Sequence, residues 1–278
     1  MKLEAYRNLW GVSGPRDAAV AAFLEAGYVG IEAILFSSRE HAEMSRIVKR
    51  RALRFKGTIW TKDAGRQVSD HLTLFKKQLW DLLRVGAQSI NVIGGHDCWT
   101  TDEADRYFEG ALEVGGASGV PISHELHRNS ALFHPTVTRR ALARFPELRL
   151  TCDFSHWVVG CERLIDDQLD LIRLCAGRAD HLHTRIGTVE APQTADPRAP
   201  EARPYVRAFE RWWTIVWEAQ FARGVAISTH CPEFGPPPYL PTLPYSRKPV
   251  ADLADICDWQ MRRQATRFRT WVSRRRKT

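Results

Sequence analysis

Four short apolar runs in the second half of the chain each end on a carboxylate or an imidazole. They carry Glu125 (Ile122-Ser-His-Glu-Leu-His127), Asp153 (Leu150-Thr-Cys-Asp-Phe-Ser-His156), His183 (His181-Leu-His183) and Glu233 (Ile227-Ser-Thr-His-Cys-Pro-Glu233). Three carboxylates with one imidazole form a hard donor set, which suits Mn²⁺, Mg²⁺, Co²⁺ or Zn²⁺ better than copper. The pattern points to a metal enzyme.

Taken singly, each residue has an ordinary use. Glu125 could be an exposed charge at a strand end, Asp153 could cap the helix after its strand, His183 could be a satisfied core imidazole, and Glu233 could solvate a loop. Their spacing argues for a joint role. Glu125 to Asp153 is 28 residues and Asp153 to His183 is 30, each close to the ~30 residues of one βαβ unit. The 50 residues from His183 to Glu233 are one unit plus an irregular insertion.

The elements that would position them recur along the whole chain. Strand-like runs at 3–10, 29–34, 54–60, 89–94, 120–126, 148–153, 180–186 and 225–230 alternate with helical patterns near 15–26, 38–52, 67–85, 102–118, 136–145, 161–176, 204–223 and 250–270. The third helix has the clearest stripe, with Ser69 and Asp70 as expected caps. Eight alternating units, with no Gly-rich phosphate turn, predict a closed (β/α)₈ TIM barrel in one domain rather than a doubly wound sheet. Long segments at 187–204 and 232–249, both rich in proline, would follow strands seven and eight on the catalytic rim, as a lid or substrate wall.

Composition fits that picture. The 278 residues, 44% hydrophobic and 26% charged, are ordinary for a globular domain, and no apolar run approaches the ~20 residues that cross a bilayer. The N-terminus has no secretory pattern, so a cytoplasmic chain without membrane contact is expected. Six cysteines without a C-x-x-C pair read as free thiols. The net charge of +8 resides in residues 262–278, which hold eight Arg or Lys and no acid. That division predicts a barrel over 1–261 and a solvated basic tail over 262–278.

Several pieces resemble the sugar phosphate isomerase/epimerase-like barrels, also called the xylose isomerase-like or AP endonuclease family 2 superfamily. They are Gly27-Tyr-Val-Gly-Ile-Glu32, Glu125, Asp153-Phe-Ser-His156, His183-Thr-Arg185 and Glu233-Phe-Gly, and the likeness spans roughly residues 5 to 260. The resemblance implies one divalent metal, Mn²⁺ before Mg²⁺, Co²⁺ or Zn²⁺, on Glu125, Asp153, His183 and Glu233. It also implies that Glu125 and Glu233 move a proton next to the carbonyl of a small carbohydrate or cyclitol, through an enediolate. His156 and Arg185 would hold substrate oxygens.

The chain departs from that pattern at Ala131, where the ketose epimerases usually carry a sugar-gripping glutamate. Nearby alternatives for substrate contact are His127, which shares a strand face with Glu125, and His96 after strand four, with Trp60 and Trp99 as walls. Most other tryptophans, including Trp212 and Trp213, are expected in the core. A lyase or dehydratase acting on a keto-sugar, cyclitol or oxidised glycoside shares the first proton abstraction and is the main rival. A nuclease would need a third-strand histidine, where this chain has Trp60, and an Asp-x-His pair, where it has Asp196-Pro-Arg198; with a charge-neutral body, nucleic acid is a disfavoured partner. A non-catalytic barrel and a homo-oligomer are further alternatives.

Overall fold

Each short apolar run pairs with the next in sequence order. A computed structural model describes residues 1–275, with strands Lys2–Asn8 (β1), Gly30–Ala33 (β2), Arg54–Trp60 (β3), Ser89–Ile93 (β4), Ile122–Glu125 (β5), Leu150–Cys152 (β6), Ala179–His183 (β7) and Ile227–Cys231 (β8). All neighbours are parallel, and β8 closes onto β1 with Lys2 opposite Ile227 and Ala5 opposite His230. The expected (β/α)₈ barrel is what forms.

Nine α-helices wrap it among the described residues: Arg16–Glu25 (α1), Ser38–Arg51 (α2), Val68–Val85 (α3), Thr101–Gly116 (α4), Pro135–Arg144 (α5), Phe154–Gly160 (α6), Leu169–Arg178 (α7), Arg203–Ala222 (α8) and Leu253–Arg275 (α9). No described helix is long and apolar enough to cross a membrane. Apolar strand residues such as Ile31, Phe55, Val92, Leu150 and Leu182 are buried in the main hydrophobic core. Trp157, Trp212, Trp213 and Trp217 are fully buried there too, and all six cysteines are free.

The inward strand positions carry a polar column instead. Thr58 donates to Glu32 at 3.3 Å, His181 Nδ1 lies 2.7 Å from the Thr229 hydroxyl, and Ser123 and Thr151 share a 2.7 Å hydrogen bond. Pairing matters here because an unsatisfied buried polar group costs about 1–3 kcal/mol. Gly30 makes room for this packing: a Cβ there would lie 2.5 Å from the Tyr6 ring and 2.7 Å from the Arg54 carbonyl oxygen. Only glycine fits opposite Tyr6.

Three expectations need correction. Ser69 and Asp70 do not cap α3, which starts one residue earlier at Val68 after Gln67. The helix expected over 161–176 starts only at Leu169 as α7, with Glu162 at φ 50° in the chain before it. A short helix that was not expected, α6, precedes that span because Asp153 accepts from the Ser155 N–H and starts it at once. The third correction concerns the tail.

Residues 262–275 continue α9 rather than forming a frayed end, and Arg276 and Lys277 lie outside the described residues. Ile256, Gln260, Gln264 and Phe268 recur every four residues and are buried. Phe268 packs perpendicular to Trp217 of α8 with ring centres 5.1 Å apart, and Arg263 pairs with Glu210 at 2.6 Å. The stripe is hard to read from sequence because two of its members are glutamines. Gln260 is satisfied by the Thr184 carbonyl at 2.6 Å.

Candidate metal centre

Strand ends β5 to β8 bring the four expected donors together. One ligating atom from each of Glu125, Asp153, His183 and Glu233 falls within 4.8 Å of the others, and all four residues are buried. His183 Nδ1 lies 2.7 Å from Glu233 Oε2, 3.6 Å from Glu125 Oε1 and 3.8 Å from Asp153 Oδ2. Yet Glu125 Oε1, His183 Nδ1 and Glu233 Oε2 have no aligned hydrogen-bond partner. Buried polar atoms left unsatisfied call for an explanation. Three that converge with Asp153 fit a divalent cation.

The other atom of each group is held from behind. Asn91 on β4 donates to Glu125 Oε2 at 2.6 Å, and Asn8 at the end of β1 donates to Glu233 Oε1 at 3.4 Å. His183 Nε2 faces Glu32 Oε1 at 3.1 Å, the carboxylate–imidazole pairing that orients ligating histidines. Asp153 caps α6 with Oδ1, leaving Oδ2 to the Arg185 guanidinium at 2.5 Å. Glu233 adopts φ 35°, a conformation unfavourable for a non-glycine residue, which here points its carboxylate inward.

Electrostatics reflect this crowding. Burial pushes the Glu125 carboxyl up to about 7, with His183 opposing and Glu233 adding to the rise. Burial works against a charged His183, but the carboxylates of Glu233, Glu125 and Glu32 outweigh it and raise its pKa. For Glu32 burial is again the largest effect, overcome by His183 and His181, which hold it ionised.

Known structures share this architecture. A xylose isomerase-like TIM barrel protein from Mycobacterium smegmatis in complex with magnesium superposes with a TM-score of 0.60 at 12% identity, covering 84% of this chain and 91% of that one. The two chains share the TIM-barrel fold. A sugar phosphate isomerase/epimerase from Parabacteroides distasonis gives 0.59 at 12% (93% and 97% covered), and the "probable 3-DHS dehydratase AsbF involved in the petrobactin synthesis" from Bacillus anthracis gives 0.55 at 14% (93% and 97%). AP endonuclease, family 2, from Brucella melitensis gives 0.55 at 15% (83% and 92%). No family model matches the sequence, and no curated protein does. Identity this low establishes the fold alone.

In this barrel a cavity of about 360 Å³ opens above the centre. Glu125, Glu233, His127, Arg185 and Trp60 line it, as does Tyr239 from the segment after β8. The segment after β7 braces that wall, since Gln193 exchanges hydrogen bonds of 2.7 and 3.1 Å with the Gly235 backbone. The walls from the β1 and β2 ends, including Trp10 and Phe36, had no motif to mark them in the sequence.

The other expected contacts are placed differently. His156 is fully buried outside the cavity lining, 2.7 Å from Arg185, with its ring 3.8 Å from that of His127. Arg185 is occupied by Asp153, Ser155, His156 and the Glu233 carbonyl, so it braces the donors as well as lining the cavity. His96 stands apart, half-buried and 2.9 Å from Asp97. Trp99 packs on His71 instead of walling the site. Ala131 lies beneath Gly95, where a Cβ on that glycine would be only 2.5 Å from its own. The close packing leaves no room for a side chain at Gly95.

Glu32, Asn8 and Asn91 are the residues that sequence reasoning missed. Glu32 stood in the Gly-Ile-Glu match without a role. Its inward position on β2, in register with Asn8 on β1, is the signal that could have found it. Glu125, His127 and His156 form a further buried trio that shares Glu125 with the four-residue cluster.

Proposed function

We propose that the chain is a divalent-metal-dependent isomerase or epimerase of a keto-sugar or cyclitol, with Glu125 and Glu233 as the acid/base pair. One observation carries this reading: of the four converging donors, only the two glutamates also line the cavity. Asp153 and His183 serve to hold the ion. Glu125 and Glu233 would hold it too and remain in reach of a substrate.

A divalent ion bound there supplies Lewis-acid polarisation of a carbonyl and its neighbouring hydroxyl. One glutamate then takes the proton from the carbon next to the carbonyl, and the other returns a proton to the enediolate from its own side. Asn8 and Asn91 fix the carboxylates for these transfers. Mn²⁺ fits the donor set, with Mg²⁺, Co²⁺ and Zn²⁺ as alternatives.

His127 favours a second reading, elimination. It lines the cavity beside Glu125, and its Nδ1–H donates to the Arg128 carbonyl at 2.5 Å, so Nε2 carries a lone pair that would take the substrate proton while a glutamate acid protonates the departing oxygen.

Incubation with Mn²⁺ and candidate 2- or 3-keto sugars in D₂O tests the shared step. Deuterium at the carbon next to the carbonyl is expected, and its loss in Glu125→Gln and Glu233→Gln. Absence of exchange with every keto-sugar and cyclitol would sink the proton-transfer reading. Exchange with loss of a hydroxyl or aglycone would select elimination.

A further inference from the structure

Proton transfer uses the floor of the cavity, but its wall is largely apolar, with Trp10, Val12, Ile34, Phe36, Trp60 and Tyr239 facing in. Phe36 is 70% exposed and Trp10 37%. Trp10 is nevertheless fixed in place. Its ring meets Tyr239 edge-on at 4.8 Å and lies so close over Gly235 that a Cβ there would sit 2.2 Å from it. A large aromatic side chain held partly bare at a cavity mouth is built to meet a ligand.

Charge points the same way. The cavity is lined by two cationic side chains, and both are already paired: Arg185 with Asp153, and Arg16 with Glu40 and with Glu43 at 2.8 Å. Neither offers the free guanidinium that a phosphate would engage, and the neighbouring cations Arg128 and Lys62, outside the lining, lie over the Tyr239 and Trp60 rings at 5.1 and 5.0 Å from their centres. The cavity volume of about 360 Å³ falls in the ~300–1,000 Å³ range of pockets for drug-sized ligands.

We propose that the substrate is glycoside-like and carries no phosphate: a keto-sugar or cyclitol ring above Glu125 and Glu233, joined to an uncharged flat apolar ring that lies against Trp10 and Phe36. This assignment rests on the proposed role of the two glutamates, which sets the reacting end of the cavity.

Binding of three probes to the full chain with Mn²⁺, followed by saturation-transfer NMR and calorimetry, tests it: phenyl β-D-glucopyranoside, methyl β-D-glucopyranoside and glucose 6-phosphate. The phenyl probe should bind about tenfold more tightly than the methyl probe, the scale of one ring stacked on aromatic side chains. Glucose 6-phosphate should gain nothing over the methyl probe. In Phe36→Ser, an exposed position where folding is not at stake, the phenyl preference should shrink to about twofold; Trp10→Ala should do the same. Equal binding of the two glucosides, binding of neither, a phosphate preference, or a phenyl preference intact in both variants would overturn the proposal. Deuterium exchange without a phenyl preference defeats this assignment alone, whereas the preference without exchange defeats the proton-transfer reading alone.

Discussion

Glu32 Oε1 lies 3.1 Å from His183 Nε2, so the imidazole whose Nδ1 faces the candidate metal position is gripped from behind by a carboxylate on β2. The same carboxylate reaches His181 at 3.2 Å. It sets which nitrogen of His183 carries the proton, and leaves Nδ1 free to donate its lone pair.

Glu32→Gln keeps the shape and removes the charge. Metal affinity should fall about 10- to 100-fold, the usual loss when the partner of a ligating histidine is weakened. Calorimetric Mn²⁺ titration of wild type and variant checks this. Unchanged affinity would mean that Glu32 does not orient a ligand.

The barrel and the convergence of Glu125, Asp153, His183 and Glu233 were legible in sequence because both depend on short periods. Strand runs ending on Glu125, Asp153 and His183 recur at nearly one βαβ unit, and the fold converts that repeat into convergence at one rim. Support for the donors was not legible. Asn8, Glu32 and Asn91 come from strands whose inward faces carry polar residues bonded to one another across the barrel, a pairing that a linear reading does not contain. The β1 and β2 walls were missed because Trp10 and Phe36 follow their strands as isolated aromatics. The pattern at 250–270 anticipated most of α9, but the dense basic run drew a boundary at 262 that the helix does not have.

If residues 262–275 are structural, removing what they bury must cost stability. Phe268→Ala empties a site against Trp217 and should destabilise by about 3–5 kcal/mol. Truncation after Met261 should leave too little of α9 to cover α8 and yield an unfolded or aggregating chain. Urea unfolding of the point variant and circular dichroism of the truncation measure these effects. A truncated chain with wild-type stability would restore the reading of 262–278 as a tail.

Two buried histidines make stability fall on the acid side. Burial lowers His124 to about 4 and His230 to about 3, so both stay neutral in the folded chain while the unfolded chain binds protons below about pH 6.5. Stability is therefore full above that value and declines as pH falls toward 4, at up to ~1.4 kcal/mol per pH unit for each histidine. Urea midpoints should drop between pH 7.5 and 5, and His124→Gln should show a shallower decline. Equal wild-type midpoints at the two pH values would contradict this.

The most direct measurement is the stoichiometry of Mn²⁺ binding to chelator-treated protein, by calorimetry on wild type, Asp153→Asn and Glu233→Gln, with folding verified by circular dichroism. One ion per chain is expected for wild type, with binding weakened by orders of magnitude in both folded variants. No binding by wild type, or binding that both variants retain unchanged, would contradict a metal centre at Glu125, Asp153, His183 and Glu233.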